Sequence, residues 1–186
     1  MFLSHQTIEK CLNNGSIKIE PEFNRKNIRP AGVRVHLGAT ILVPEPGQIV
    51  SLTKATHLKY KEVNISDEDF FLDPGSFVLG STYELFQTSP KILALLDGRS
   101  TVARLGLTTH ITASVIDGTF EKLQSVTLEL KNLGNFTVQL KYKDPIAMML
   151  FAELTDQVTQ KLQSQYGDHS DKVAPPNLNF KTGQDI

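Results

Sequence analysis

Apolar residues in this chain alternate in short runs, and each run soon ends in glycine, proline or an acid-rich turn. Val33, Val35 and Leu37 alternate, then Ile41 and Val43, before Pro44-Glu45-Pro46 stops the pattern. Ile28 to Val43 therefore predicts a half-buried strand, or two with a kink at Gly38. Turn signals at Pro46-Gly47 and Asp73-Pro74-Gly75 flank Ile49, Val50 and Leu52, and Phe77 to Leu85 predicts a strand broken by Gly80. Leu107 to Ala113 reads as an extended segment, and Ser125 to Leu130 alternates well. Phe136 to Leu140 and Ile146 to Leu154 predict two further strands, with Pro145 placed where a missing N–H is tolerated. Period-two runs with regular turns define a mainly β domain, a sandwich or a barrel.

Helical signals are few. Residues 4–14 predict a short helix: Ser4 is its N-cap, Ile8, Cys11 and Leu12 share a face, and Asn13-Asn14-Gly15 ends it. Ile17 to Ile19 extends briefly, and Val102 to Leu105 fits one helical turn. Thr155 to Gln165 suits a polar helix, and Tyr166 to Ile186 has the composition of a flexible tail. The expected organisation is a β domain over 1–155 and a helix with tail over 156–186.

Composition narrows the class. A chain of 186 residues with 40% hydrophobic content can bury its own core. A net charge of −1 gives no reason to expect nucleic acid or an anionic membrane as partner. No apolar run reaches membrane-spanning length and Met1-Phe2-Leu3-Ser4 shows no signal peptide, so a soluble, cytoplasmic protein is expected. The single cysteine, Cys11, fits a reducing compartment and a packing role. The charged stretch Lys54 to Asp69 is expected to be partly exposed, with Ser66-Asp67-Glu68-Asp69 a solvated loop, since it lacks the spacing of a calcium loop.

Polar groups concentrate between Leu96 and Leu130. Asp97-Gly98-Arg99-Ser100 follows the apolar run Ile92 to Leu96. Glycine admits close approach to a ligand, and arginine and serine supply donors suited to phosphate. Ser100 and Arg104, four apart, can share a helical face. On its own such a turn also reads as a surface loop with a solvated arginine. In Ser125 to Leu130, Val126, Leu128 and Leu130 share one face, while Ser125, Thr127 and Glu129 share the other. A glutamate flanked by leucines must face solvent or find a partner.

Gly98-Arg99-Ser100-Thr101-Val102-Ala103-Arg104-Leu105-Gly106-Leu107, then Thr112-Ala113, Ile116-Asp117, Phe120 and Leu128-Glu129, resemble the dCTP deaminase branch of the dUTPase superfamily. The likeness extends to Ile28-Arg29-Pro30-Ala31, Leu37-Gly38 and Asp73 to Leu79, and covers most of residues 1–155. It implies a distorted jelly roll or β-barrel with one or two short helices. The chain departs from the pattern in three places. Gly32, Arg34 and His36 stand where the family has serine, aspartate and arginine. Gly118-Thr119 replaces Pro-Gly. The spacing from Phe120 to Glu129 is longer by an even insertion, which preserves strand parity.

The resemblance also implies an activity: zinc-independent hydrolysis of dCTP to dUTP and ammonia. A zinc nucleobase deaminase needs H-x-E with P-C-x-x-C. This chain has one cysteine, and no histidine here precedes Glu by two. Without zinc, a carboxylate must move protons from the attacking water to the ring, which is general acid–base catalysis. The resemblance assigns that role to Glu129, with Arg104, Ser100 and the backbone of Ile111, Thr112 and Ala113 positioning water and base. Arg99, Ser100 and Thr101 match phosphate-binding positions, with Mg²⁺ carried on the triphosphate. Asp117, Phe120, and Tyr166 and Lys172 in the tail complete the implied nucleotide site. A homotrimer with sites between subunits is implied, and dTTP is the implied feedback inhibitor. Two alternatives stay open: a bifunctional deaminase–dUTPase giving dUMP and pyrophosphate, with Asp117 activating the second water, or a silent nucleotide-binding homologue.

Overall fold

The computed structural model describes residues 1–21, 23–51, 57–116, 122–159 and 173–176. Helix α1 (His5–Asn14) begins after an extended Ser4 and ends on Gly15, whose φ of 78° only glycine adopts easily. Its Ile8 is fully buried, and Cys11 and Leu12 pack against the same core. Then follow β1 (Ile17–Glu20), β2 (Ile28–Arg29), β3 (Gly32–His36), β4 (Thr40–Pro44), β5 (Tyr60–Asn64), β6 (Phe70–Leu72), β7 (Phe77–Ser81), β8 (Leu85–Thr88) and β9 (Ile92–Gly98). Helix α2 (Ser100–Arg104) leads to β10 (Val115–Ile116), β11 (Thr127–Lys131), β12 (Val138–Leu140) and β13 (Pro145–Glu153).

The strands make a five-stranded sheet in the order β10-β9-β13-β3-β2 and a four-stranded sheet in the order β11-β7-β4-β5, with the pairs β1-β8 and β12-β6 beside them. Every pairing is antiparallel. Val33, Val35, Leu96, Met149 and Phe151 from the larger sheet meet Ile41, Val78, Leu128 and Leu130 from the smaller in one buried cluster. Full burial of each such side chain stabilises by about 1.5–3 kcal/mol, so this shared core holds the two sheets face to face. The architecture is mainly β and jelly-roll-like; among the described residues the sheets stay open rather than closing into a barrel. No helix among the described residues is long and apolar enough to cross a membrane.

Several expectations change in detail. The Ile28 to Val43 stretch splits at Leu37–Ala39, so β3 and β4 belong to different sheets. Gly80 does not break β7. A Cβ there would stand 3.2 Å from the Leu130 and Leu37 side chains, so glycine serves core packing, and the chain turns at 82–84 instead. Tyr60–Asn64, inside the stretch read as charged and partly exposed, is the strand paired with β4. Leu107 to Ala113 is not a regular strand: Thr108 N–H donates to the Lys131 carbonyl and Glu129 N–H to the Thr109 carbonyl, but Ile111 N–H goes to a side chain. Residues 155–159 are not helical, because Val158 N–H is held by the Pro90 carbonyl; the rest of the expected polar helix lies outside the described residues.

Candidate active site

Strand β11 places its side chains as the alternation predicts. Leu128 and Leu130 are fully buried, while Thr127 and Glu129 are half-buried on the opposite face. Glu129 Oε2 accepts the Ile111 N–H at 2.7 Å, and the Glu129 carbonyl accepts the Thr108 hydroxyl at 3.0 Å. The segment 108–111 is thus tied to one residue of β11 through both its backbone and its carboxylate. No described residue donates to Oε1, which can receive a proton or a donor from a bound molecule.

Glu129 lines a cleft of about 340 Å³. Tyr60, Phe77 and Leu79 give it apolar surface, Ala113 and Thr127 stand with Glu129, and Ala174 and Pro176 complete the lining. Burial pushes the Tyr60 hydroxyl above its ordinary pKa. An apolar cleft with one oriented carboxylate suits a flat, partly polar ring. Tyr60, Phe77 and Leu79 were not among the site residues expected from sequence, although Phe77 and Leu79 lie in the stretch Asp73 to Leu79 that carries the resemblance. Tyr60 sits among charges, and the signal that marks it is only its place opposite Pro44 in the β4–β5 ladder.

Part of the tail lies on this cleft. Val173 is 5% exposed and packs with Leu42 and Leu79, flanked by Tyr60 and Phe77. Ala174 N–H donates to the Thr127 hydroxyl at 3.2 Å. The polar composition of Tyr166 to Ile186 predicts a flexible tail, but for 173–176 a single valine finds an apolar socket and the segment docks.

Arg99, Ser100, Thr101 and Arg104 form a second group. Val102, buried, holds α2 to the core, which leaves Ser100, Thr101 and Arg104 exposed. Arg99 is half-buried and its Nη1 donates to the Pro145 carbonyl. Burial, then Arg34, then Arg29 hold its guanidinium below the usual arginine range. None of these four residues lines the Glu129 cleft. The structure therefore brings Glu129, Ile111 and Ala113 together, with exposed Thr112 between the last two, and keeps the arginine–serine group apart from them. Asp117, Phe120, Tyr166 and Lys172 lie outside the described residues.

The altered segment 32–36 resolves in two ways. His36 N–H donates to Glu84 Oε2 at 2.9 Å, and His36 Nδ1 lies 2.5 Å from Glu84 Oε1, so the buried Glu84 is satisfied. Arg34 Nε is buried and has no hydrogen-bond partner. His110, within the segment 108–111, has its Nε2 3.7 Å from Asp97 and its Nδ1 buried without a partner.

The open two-sheet β fold thus carries one oriented carboxylate in an apolar cleft and, apart from it, a basic, hydroxyl-bearing turn. Residues 2–154 match the dCTP deaminase-like family, and the chain belongs to that family. It is 34% identical to "dCTP deaminase, dUMP-forming" of Methanosphaera stadtmanae, over 83% of this chain and 80% of that one. It is also 34% identical to the protein of the same name in Streptomyces coelicolor, over 99% and 100% of the two chains. The "dCTP deaminase" of Shewanella oneidensis is 32% identical over 94% and 97%. Among solved structures, the 2'-deoxycytidine 5'-triphosphate deaminase from Agrobacterium tumefaciens matches with a TM-score of 0.64 at 16% identity over 82% of this chain, which shows likeness of fold. This chain spans about half, 48%, of that one.

Proposed function

We propose that this protein deaminates dCTP: dCTP and water give dUTP and ammonia. The observation that carries the reading is the Glu129 carboxylate, fixed on the Ile111 N–H inside an apolar cleft. Water adds to C4 of the cytosine ring, and Glu129 takes its proton and passes it to N3. The C4 intermediate then collapses, the second water proton moves to the amino group through the same carboxylate, and ammonia leaves. Fixing the carboxylate beforehand removes reorganisation from each transfer.

Ser100 and Arg104 position the water and base, and the backbone at Ile111, Thr112 and Ala113 reads the ring. Arg99, Ser100 and Thr101 hold phosphate, Phe120 packs on the nucleotide, and Tyr166 and Lys172 close on it. Because Arg99 to Arg104 stand outside the Glu129 cleft of their own chain, the reading includes a homotrimer in which a neighbouring copy supplies them. Guanidinium and hydroxyl donors at 99–101 suit the oxygens of a triphosphate, and Mg²⁺ carried on that triphosphate would neutralise part of its charge. Inhibition by dTTP through the same site and a cytoplasmic location belong to the same reading.

A second reading is favoured by the relatives named dUMP-forming, which cover most of this chain. In it Asp117 activates a further water that attacks the α-phosphate, releasing dUMP and pyrophosphate. Incubation with dCTP and Mg²⁺, with nucleotides, ammonia and pyrophosphate resolved, separates the two. The main reading gives ammonia with accumulating dUTP. Stoichiometric pyrophosphate and dUMP establish the second, and Asp117→Asn then abolishes pyrophosphate while leaving deamination. Nucleotide binding without ammonia leaves only a silent homologue.

A further inference from the structure

Strand register places three arginines on one surface. Arg34 of β3 stands opposite Met148 of β13, which stands opposite Asp97 of β9. Their neighbours Val33, Val35, Met149 and Leu96 are buried, so this cross-strand row faces away from the core. Arg29 pairs with Gly32, two residues before Arg34 and therefore on the same face. Arg99 follows Gly98 in extended conformation, and Gly98 pairs with the inward-facing Ala147, so Arg99 returns to the outer face.

Nothing among the described residues neutralises them. The ion pairs present use Lys91, Lys141, His36 and His110, never an arginine. Asp97, the acid on that row, turns Oδ1 to the Gly98 N–H at 2.7 Å and faces His110. Arg34 Nε is buried and unpartnered, and an unmet buried donor is costly unless something else fills it. Burial first, then Arg34 and Arg29, hold the Arg99 guanidinium below its usual range, as expected of three like charges on one face. Arg34 also reverses the charge of the acid expected at that position from the resemblance.

We propose that Arg29, Arg34 and Arg99 form an oligophosphate seat on the outer face of the five-stranded sheet. Guanidinium forks bind phosphate oxygens in pairs, and several forks across neighbouring strands match a chain of phosphates better than a single anion. Taken with the proposed function, the occupant is the terminal end of the substrate triphosphate, and Arg29 and Arg34 are binding residues beyond the Arg99 to Thr101 turn. A free oligophosphate shares the same chemistry.

Titration calorimetry of the full chain with tripolyphosphate, dCTP and dCMP tests the seat. Arg34→Gln should weaken tripolyphosphate and dCTP by about tenfold to a hundredfold, leave dCMP unchanged, and be partly rescued by Arg34→Lys. Arg29→Gln, at an exposed position, should give a smaller loss in the same direction and keeps the test valid should Arg34→Gln not fold. Loss for tripolyphosphate with dCTP unaffected supports the seat and places it outside the substrate site. Equal affinities in wild type and both glutamine variants overturn it. So does oligomer dissociation in Arg34→Gln at unchanged tripolyphosphate affinity, which would assign Arg34 to a carboxylate of a second copy. Failure of wild-type protein to release ammonia would sink the deaminase reading without touching these affinities.

Discussion

Gly38 stands where the chain leaves one sheet for the other, and its hydrogen sits where no methyl fits. Its N–H donates to the Ser81 carbonyl at 2.7 Å. An added Cβ would meet Ser81 Oγ at 2.6 Å and the Ser81 carbonyl at 3.0 Å. Gly38→Ala should therefore cost about 1–3 kcal/mol through overpacking, read as a lower denaturant midpoint at unchanged slope; a variant as stable as wild type would show that the corner can yield. The kink at Gly38 is readable from sequence because alternation stops there. The role of Gly80 is not, since the side chains it makes room for, Leu37 and Leu130, lie far away in the chain. Glu129 could be placed on the polar face of its strand by parity alone. Its partner could not: a carboxylate bonded to the Ile111 N–H is a tertiary fact.

At the scale of elements, β11 follows its sequence pattern closely because it buries one clean face, and β13 alternates in the same way only beyond the register shift at Pro145–Ala147. Elements held by polar groups escape the same reasoning. The segment Leu107 to Ala113 looks like a strand, yet its N–H at Ile111 is diverted to a side chain. The tail looks solvated, yet Val173 buries itself between Leu42 and Leu79. That socket borders the Glu129 cleft, and Ala174 is bonded to Thr127, two residues before Glu129. Val173→Ala should shift docking toward the free form by roughly tenfold to a hundredfold, the worth of one buried valine. Truncation after Gln165 removes the contact altogether. Both should leave the melting transition cooperative while raising KM for dCTP or lowering kcat, since a segment closing beside the cleft excludes water. Unchanged kinetics in both would mean that the docked segment plays no part in turnover.

For the whole molecule, two open sheets around one core carry two chemically distinct groups at separate places. One is a carboxylate in an apolar cleft; the other is a turn of guanidinium and hydroxyl donors extended by Arg34 and Arg29. Glu129 and the 99–104 turn were marked as site residues in the sequence by the resemblance, but Arg34 and Arg29 were not, and the separation of the two groups within one chain appears only once the sheets are assembled. The proposed trimer, in which each copy completes its neighbour, would bring the two groups together. The whole scheme depends on Glu129 moving protons on the cytosine ring. The direct measurement is ammonia release from dCTP by wild type and by Glu129→Gln, with dCTP affinity determined on the same preparations. The amide keeps the shape and the acceptor for Ile111 but cannot shuttle protons. Turnover should fall by about 10²–10⁴ with binding largely retained. A Glu129→Gln protein that releases ammonia at near the wild-type rate would contradict the mechanism and move the chemistry elsewhere.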